Sequence, residues 1–315
     1  MTDSRHAFRG KLGALTGVAP IAPTPFTDAG DLDLEGQRRV MDCMVDQGVD
    51  AICILANYSE QFALTDAERR EILDVCLQQV NGRVPVIVTV SHYSTRVASE
   101  RARDAAAAGA AMLMLMPPYH GATLRAEEAQ FIEHVAAVAD ASRLPIMVQD
   151  APMSGTPLSV GLLLRLGAAV PLVRAFKVEV AGAATKLRSL IDAGGPAVVE
   201  PFDGEESITL LADLDAGATG TMPSAMLPDL IRPIVTNYLA GDRSAAISGY
   251  EALLPLINYE NRQCGLRATK AVFKAGGVIA SDAVRHPLMP LHPVIHRGLM
   301  ELAHRANPLA LHWGR

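Results

Sequence analysis

With 315 residues, half of them hydrophobic, the chain can bury one large core, and single α/β barrels commonly run to this length. A formal net charge of −6 and the absence of a basic block argue against nucleic acid or an anionic membrane as its main partner. No apolar run reaches the length of a membrane span, and the polar stretch from Met1 to Lys11 has no signal-peptide core, so a cytoplasmic location is expected. The four cysteines, Cys43, Cys53, Cys76 and Cys264, lack CxxC spacing and predict reduced, buried thiols rather than disulfides or a zinc site.

After an N-terminal arm (residues 1–14), short apolar runs alternate with longer amphipathic ones. The runs predict strands at residues 18–23, 51–55, 85–90, 112–116, 145–149, 173–179, 197–201 and 218–222. Helix-length segments lie between them, at residues 34–47, 66–80, 95–108 and 127–141 among others. Val40, Met44 and Val45 mark an apolar helical face, with Arg38, Arg39 and Asp46 on the others. The strand runs are apolar almost throughout, as in a parallel sheet buried on both sides. Gly48, Gly109 and Gly217 each end a helix just before a strand. Eight such units predict a (β/α)8 TIM barrel over residues 15–241, its last helix at 228–239. Residues 242–315 predict a helical extension packed on the barrel, with helices at 244–257, 260–275 and 292–306.

Among the five lysines, only Lys177 falls in a strand, within Val173-Arg174-Ala175-Phe176-Lys177-Val178-Glu179. An ammonium in an apolar strand is either paired or has its pKa lowered, and a lysine of lowered pKa is a nucleophile that condenses with ketones. The plain alternative is an ion pair with Glu179, which strand alternation puts on the same face.

In a barrel of this type, chemistry gathers where strands end. Those positions hold Thr24, Asn57, Ser59, Glu60, His92, Tyr93, Tyr119, His120, Gln149, Asp150, Lys177, Glu179, Asp203, Glu205 and Glu206. With Thr24-Pro25-Phe26, the loop ending in Glu60, Pro117-Pro118-Tyr119, a motif closing in Pro152, the strand-six lysine and Gly204-Glu205-Glu206, the chain resembles the dihydrodipicolinate synthase and N-acetylneuraminate lyase family of Schiff-base barrels.

It also departs from that family. Ala56-Asn57-Tyr58-Ser59-Glu60 stands where aldolase-type members carry a Gly-Thr/Ser-Thr-Gly-Glu loop. Tyr119-His120 replaces a tyrosine pair, and Gln149 replaces the tyrosine that acts as acid and base. A glutamine cannot take a proton from a substrate hydroxyl, which retro-aldol cleavage requires. The stretches Leu55 to Phe62, Pro117 to Thr123, Val148 to Pro152, Asn258 to Gln263 and Gly276 to Ser281 resemble the dehydratase branch, which acts on 2-keto-3-deoxy sugar acids.

The resemblance implies that Lys177 forms the imine and that Asn57 and Ser59 receive the substrate carboxylate. Glu179 is the candidate for proton transfer at C3, and Tyr119 and His120 for protonating the leaving hydroxyl. Gln149 is expected to hydrogen-bond a substrate oxygen, and Thr24, His92 and Glu205 to line the substrate site. Glu205 and Glu206 match the family's acidic pair, or simply open a helix N-terminus. No HExxH, GxxxxGK[ST] or GxGxxG motif occurs, so neither a metal nor another cofactor is expected. The expected partners are a small keto acid and further copies of the chain, as a dimer or tetramer. Rival readings are a class I pyruvate aldolase on a related acid, a non-catalytic keto-acid-binding barrel, and deamination or hydrolysis of a cyclic amino-acid derivative.

Overall fold

The computed structural model describes residues 15–121, 124–195, 198 and 200–315, so the N-terminal arm lies outside the described residues. Its strands are β1 (Gly17–Val18), β2 (Ile52–Ile54), β3 (Val86–Thr89), β4 (Met112–Leu115), β5 (Tyr119–His120), β6 (Leu124–Arg125), β7 (Ile146–Asp150), β8 (Val173–Val178), β9 (Glu200–Asp203) and β10 (Gly220–Thr221). β5 and β6 form a small antiparallel pair. The other eight make a sheet in the order β1-β10-β9-β8-β7-β4-β3-β2. Ile21 bridges in parallel to both Cys53 and Ser224, which joins the two ends into a (β/α)8 barrel.

Alternation along the strands sorts the core into two clusters. Ile21, Cys53, Ile87, Met114, Met147, Ala175 and Phe202 fill the barrel interior. Ile52, Ile54, Val86, Val88, Leu113, Leu115, Ile146, Val148 and Phe176 point outward to the helices. Each buried aliphatic or aromatic side chain contributes about 1.5–3 kcal/mol by leaving water. Two positions beyond Ala175 and Met147, the same alternation brings Lys177 and Gln149 inside, and they face each other across the β7–β8 pair.

Helices Asp66–Val80, Thr95–Ala108 and Pro228–Leu239 coincide with the sequence expectation. Thr65 and Glu68 form a reciprocal capping box at the first, and the second ends on Gly109, whose φ of 95° suits glycine. The seventh strand lies later than predicted, at Glu200–Asp203, where Glu200 and Asp203 are buried; positions 197 and 199 of the predicted run lie outside the described residues. After the barrel come helices Arg243–Tyr259, Arg267–Ala275 and Pro293–Ala306. The continuous helix expected at 260–275 is instead a π-turn, Glu260–Cys264, broken from the next helix by Gly265 at φ 59°. No described helix is long and apolar enough to cross a membrane.

Candidate active site

Lys177 is 1% exposed, and its ammonium forms an ion pair with Glu179. Burial by itself would lower the lysine pKa, but the Glu179 carboxylate paired with it outweighs burial and holds the group above its ordinary value. Of the two alternatives the sequence leaves open, the structure shows the paired one: the resting lysine is an ammonium held by Glu179. The Nε2 of Gln149 donates to Glu179 Oε1 at 2.9 Å, the same oxygen that meets Lys177. Gly204 allows this crowding, because a Cβ there would lie 2.5 Å from Glu179 Cγ and 2.9 Å from Lys177 Cγ.

These groups open into a cavity of about 760 Å³. Asn57 and Tyr58 line it from the loop after β2, and Glu206 from the loop after β9. Asn57 and Tyr58 begin the 3-10 turn Asn57–Ser59, and the first N–H groups of such a turn have no acceptor within it. Burial, reinforced by Glu206, Glu260 and Glu179, pushes the Tyr58 phenol upward, so it stays protonated. The Cys264 thiol, also on the wall, is pushed up to about 11, first by burial and then by Glu260, so no thiolate competes with the lysine.

Glu206 is the acidic residue that sequence reasoning undervalued. Burial raises its pKa well above the glutamate value; Lys177 opposes this, while Glu179 and Glu260 reinforce it. Asn261 donates to its Oε2 at 3.1 Å. Glu206 and Ser207 both have positive φ, 48° and 66°, a strained turn that swings one acid inward. Glu205, the expected substrate ligand, instead pairs with Arg262 at 2.9 Å and does not line the cavity.

Thr24 and Ser59 are structural at this site. The Thr24 hydroxyl donates to the Ser59 carbonyl at 2.8 Å, and the Ser59 hydroxyl donates to the Ala22 carbonyl at 2.6 Å. Ser59 Oγ also accepts from the Ala56 N–H, so its single proton is committed inside the loop and cannot be offered to a substrate carboxylate.

His92, Tyr119 and His120 belong to a neighbouring cavity of about 640 Å³, with Tyr93. Phe62 and Met153 line both cavities and stand between them. The proposed acid pair Tyr119-His120 is therefore not brought to Lys177 within one chain, because the β5–β6 hairpin carries it to one side.

The C-terminal segment supplies what no local signal announced. Leu266, Arg267, Arg285, His286 and Pro287 complete the cavity wall. Lys270, fully buried, forms an ion pair with Glu60, and its Nζ lies 4.3 Å from the Phe26 ring centroid. The Arg285 N–H donates to the other Glu60 oxygen at 2.9 Å, and its guanidinium binds Glu68. Glu60 thus ties the loop after β2 to the C-terminal helices. No group of three or more His, Cys, Asp or Glu among the described residues is arranged to hold a metal.

A closed parallel barrel with a buried strand lysine at the carboxyl ends of its strands defines the class, a (β/α)8 lyase. The sequence model of the dihydrodipicolinate synthetase family matches residues 14–306, and the chain belongs to that family. An L-2-keto-3-deoxyarabonate dehydratase from Azospirillum brasilense is 54% identical over 297 residues, covering 94% of this chain and 96% of that protein. A 4-hydroxy-tetrahydrodipicolinate synthase 2 from Streptomyces coelicolor is 31% identical over 273 residues, 86% of this chain and 88% of that one. The crystal structure of dihydrodipicolinate synthase from Rhodopseudomonas palustris superposes with a TM-score of 0.84 at 26% identity, covering 92% of this chain and 97% of that chain.

Proposed function

We propose that the chain is a hydro-lyase that converts L-2-keto-3-deoxyarabonate, the compound in the name of its Azospirillum brasilense relative, to 2-oxoglutarate semialdehyde and water. The observation that carries this reading is the Gln149–Glu179–Lys177 contact. An imine-forming lysine is retained, while the residue facing it across β7 is an amide that cannot deprotonate a substrate hydroxyl.

The substrate carboxylate is received by the first N–H groups of the turn at Asn57 and Tyr58. Lys177 passes a proton to Glu179, adds to the C2 ketone, and the carbinolamine loses water as Glu179 returns that proton. Glu179 then removes a C3 proton, giving the enamine. Glu206, kept protonated by its burial, protonates the C4 hydroxyl, which leaves as water. Loss of a C5 proton and return of a proton to C3 leave a C4–C5 enol. It becomes the aldehyde as water hydrolyses the iminium and frees Lys177.

The enzyme works in the cytoplasm as a homo-oligomer. Four buried, unpaired cysteines support the reducing compartment. Phe62, Tyr93, Leu124 and Met153, exposed large apolar residues on or near the second cavity, support a covering subunit.

Borohydride trapping followed by intact mass tests this reading. With L-2-keto-3-deoxyarabonate, a substrate-derived adduct absent from Lys177→Ala, together with semialdehyde and no pyruvate in the unreduced reaction, is the expected result. Pyruvate release would make the enzyme an aldolase, and absence of any adduct would remove Lys177 from the mechanism.

A further inference from the structure

Behind the Lys177 cavity lies a second set of acidic groups that the mechanism above does not use. Asp203, at the end of β9, and Asp213, in helix Leu210–Asp215, are both fully buried. The Thr209 hydroxyl lies 2.6 Å from Asp213 Oδ2 and 3.4 Å from Asp203 Oδ1. On the other side, the Thr221 hydroxyl meets Asp203 Oδ2, and Ser207 Oγ lies 2.7 Å from Thr221 Oγ1.

A hydroxyl donates one proton, which gives this chain a direction. Ser207 donates to Thr221, and Thr221 to Asp203. Thr209 spends its proton on Asp213 at the shorter distance, so its contact with Asp203 is a hydrogen bond only when Asp203 carries a proton. Thr221 and Thr209 then each give once and receive once, and Ser207 gives once at the head of the chain. Asp213 Oδ1 has no donor, as expected where no cation compensates the pair.

We propose that Asp203 and Asp213 share one proton and that the resulting Ser207–Thr221–Asp203–Thr209–Asp213 chain holds the loop that presents Glu206 to the Lys177 cavity. This rests on the dehydratase reading, in which Glu206 acts at C4. Asp203 and Asp213 are positioning residues, acting through the strained Glu206–Ser207 turn.

The charges facing the pair agree with one proton. Burial raises Asp203 and its neighbour Asp213 raises it further, while Thr221 and the more distant Lys177 of β8 lower it. Asp213 is raised by burial and by Glu205, and is lowered by the neighbouring Asp203 and by its bond to Thr209, which leaves Asp203 as the protonated member. Tyr250, from helix Arg243–Tyr259, faces both carboxyls as a neutral phenol, pushed up to about 12 first by burial. Glu206 itself faces Asp203 from the loop. Lys177, the cation among these groups, is already paired with Glu179, so two further carboxylates cannot both ionise at neutral pH.

The test compares wild type, Asp203→Asn, Asp213→Asn and Asp203→Ala. Asparagine at 203 mimics the protonated acid, accepting from Thr221 and donating to Thr209. Asp203→Asn is expected to keep kcat/KM within about 3-fold of wild type while its alkaline limb moves to higher pH, and Asp203→Ala to lose roughly 10-fold or more. Melting midpoints supply a readout independent of substrate. A carboxyl protonated in the fold but ionised when unfolded loses its contribution as pH rises from about 4 to about 8. Wild type should therefore lose stability relative to Asp203→Asn across that window, and Asp213→Asn should flatten the same slope. Parallel melting profiles would overturn the shared proton. An alkaline limb unchanged in both amide variants would overturn the positioning role. No wild-type turnover would sink that role along with the dehydratase reading, while the melting comparison still judges the proton.

Discussion

Gln149 and Lys177 face each other across neighbouring strands and meet at one atom, Glu179 Oε1, which accepts from the amide at 2.9 Å and pairs with the ammonium. A single carboxylate oxygen thus holds the lysine's ammonium while an amide that cannot titrate fixes its position. Strand pairing sets the geometry, since residues opposite in a parallel ladder with inward side chains converge on one end of the barrel.

Replacing Gln149 with leucine, similar in size, removes one charge-assisted hydrogen bond from Glu179. Such a bond is worth about 1.5–3 kcal/mol, so kcat/KM should fall by roughly 10- to 100-fold. Borohydride trapping of a keto acid on Lys177 should survive. Steady-state kinetics beside intact mass would check the split, and equal loss of both would make Gln149 part of imine formation itself.

Glu206→Gln keeps the hydrogen-bonding shape of the protonated acid but cannot deliver its proton. General acid catalysis contributes typically about 10²–10⁴-fold, and a loss of that order is expected in kcat with the imine still trappable. Unchanged kcat would exclude Glu206 as the acid and turn the search to the protonated Tyr58 phenol on the same cavity wall.

Lys270→Met strands the Glu60 carboxylate in the core. Breaking a buried pair costs about 3–5 kcal/mol, which in a chain of this size lowers the melting temperature by roughly 10 °C. Adding Glu60→Gln removes the uncompensated charge and should restore much of that loss. Calorimetry on the double-mutant cycle gives the coupling, and additive losses would deny the pair its role. The same coupling argues that residues 242–315 fold as part of the barrel, so a chain ending at residue 241 should not refold.

Glu260 is buried in the π-turn beside the cavity, and burial lifts its pKa to about 7. Its folded value lies above the unfolded one, so between about pH 4 and about pH 7 the native state binds the extra proton. Stability should therefore decline as pH rises through that window, by an amount on the order of 3 kcal/mol from this residue. Glu260→Gln should show a flatter melting-versus-pH profile over the same range, while an unchanged slope would mean that the carboxyl reaches solvent.

Much of this was legible in the chain. Alternation is a local property, and eight apolar runs with glycine-ended helices between them specify a parallel barrel before any contact is known. The lysine in the sixth run, the amide in the fifth and the acid two residues after the lysine needed only the two-residue period of a strand to share a face. The loops were a different matter. Glu205 and Glu206 are adjacent, and only the positive φ of Glu206 and Ser207 decides which carboxylate turns inward. Ser59 reads as a substrate ligand until its proton is found committed to Ala22.

The sequence by itself therefore determined the barrel and the inward lysine with an amide opposite it, because each follows from periodicity within a few residues, while the resemblance to the family implied that this amide stands in place of a tyrosine base. Only the tertiary structure decided that Lys177 rests as a paired ammonium, that Tyr119 and His120 line a separate cavity, and that Lys270 pairs with Glu60, 210 residues away in the chain. Those outcomes depend on burial and on charges brought together by folding, and neither quantity is local to any stretch of the sequence.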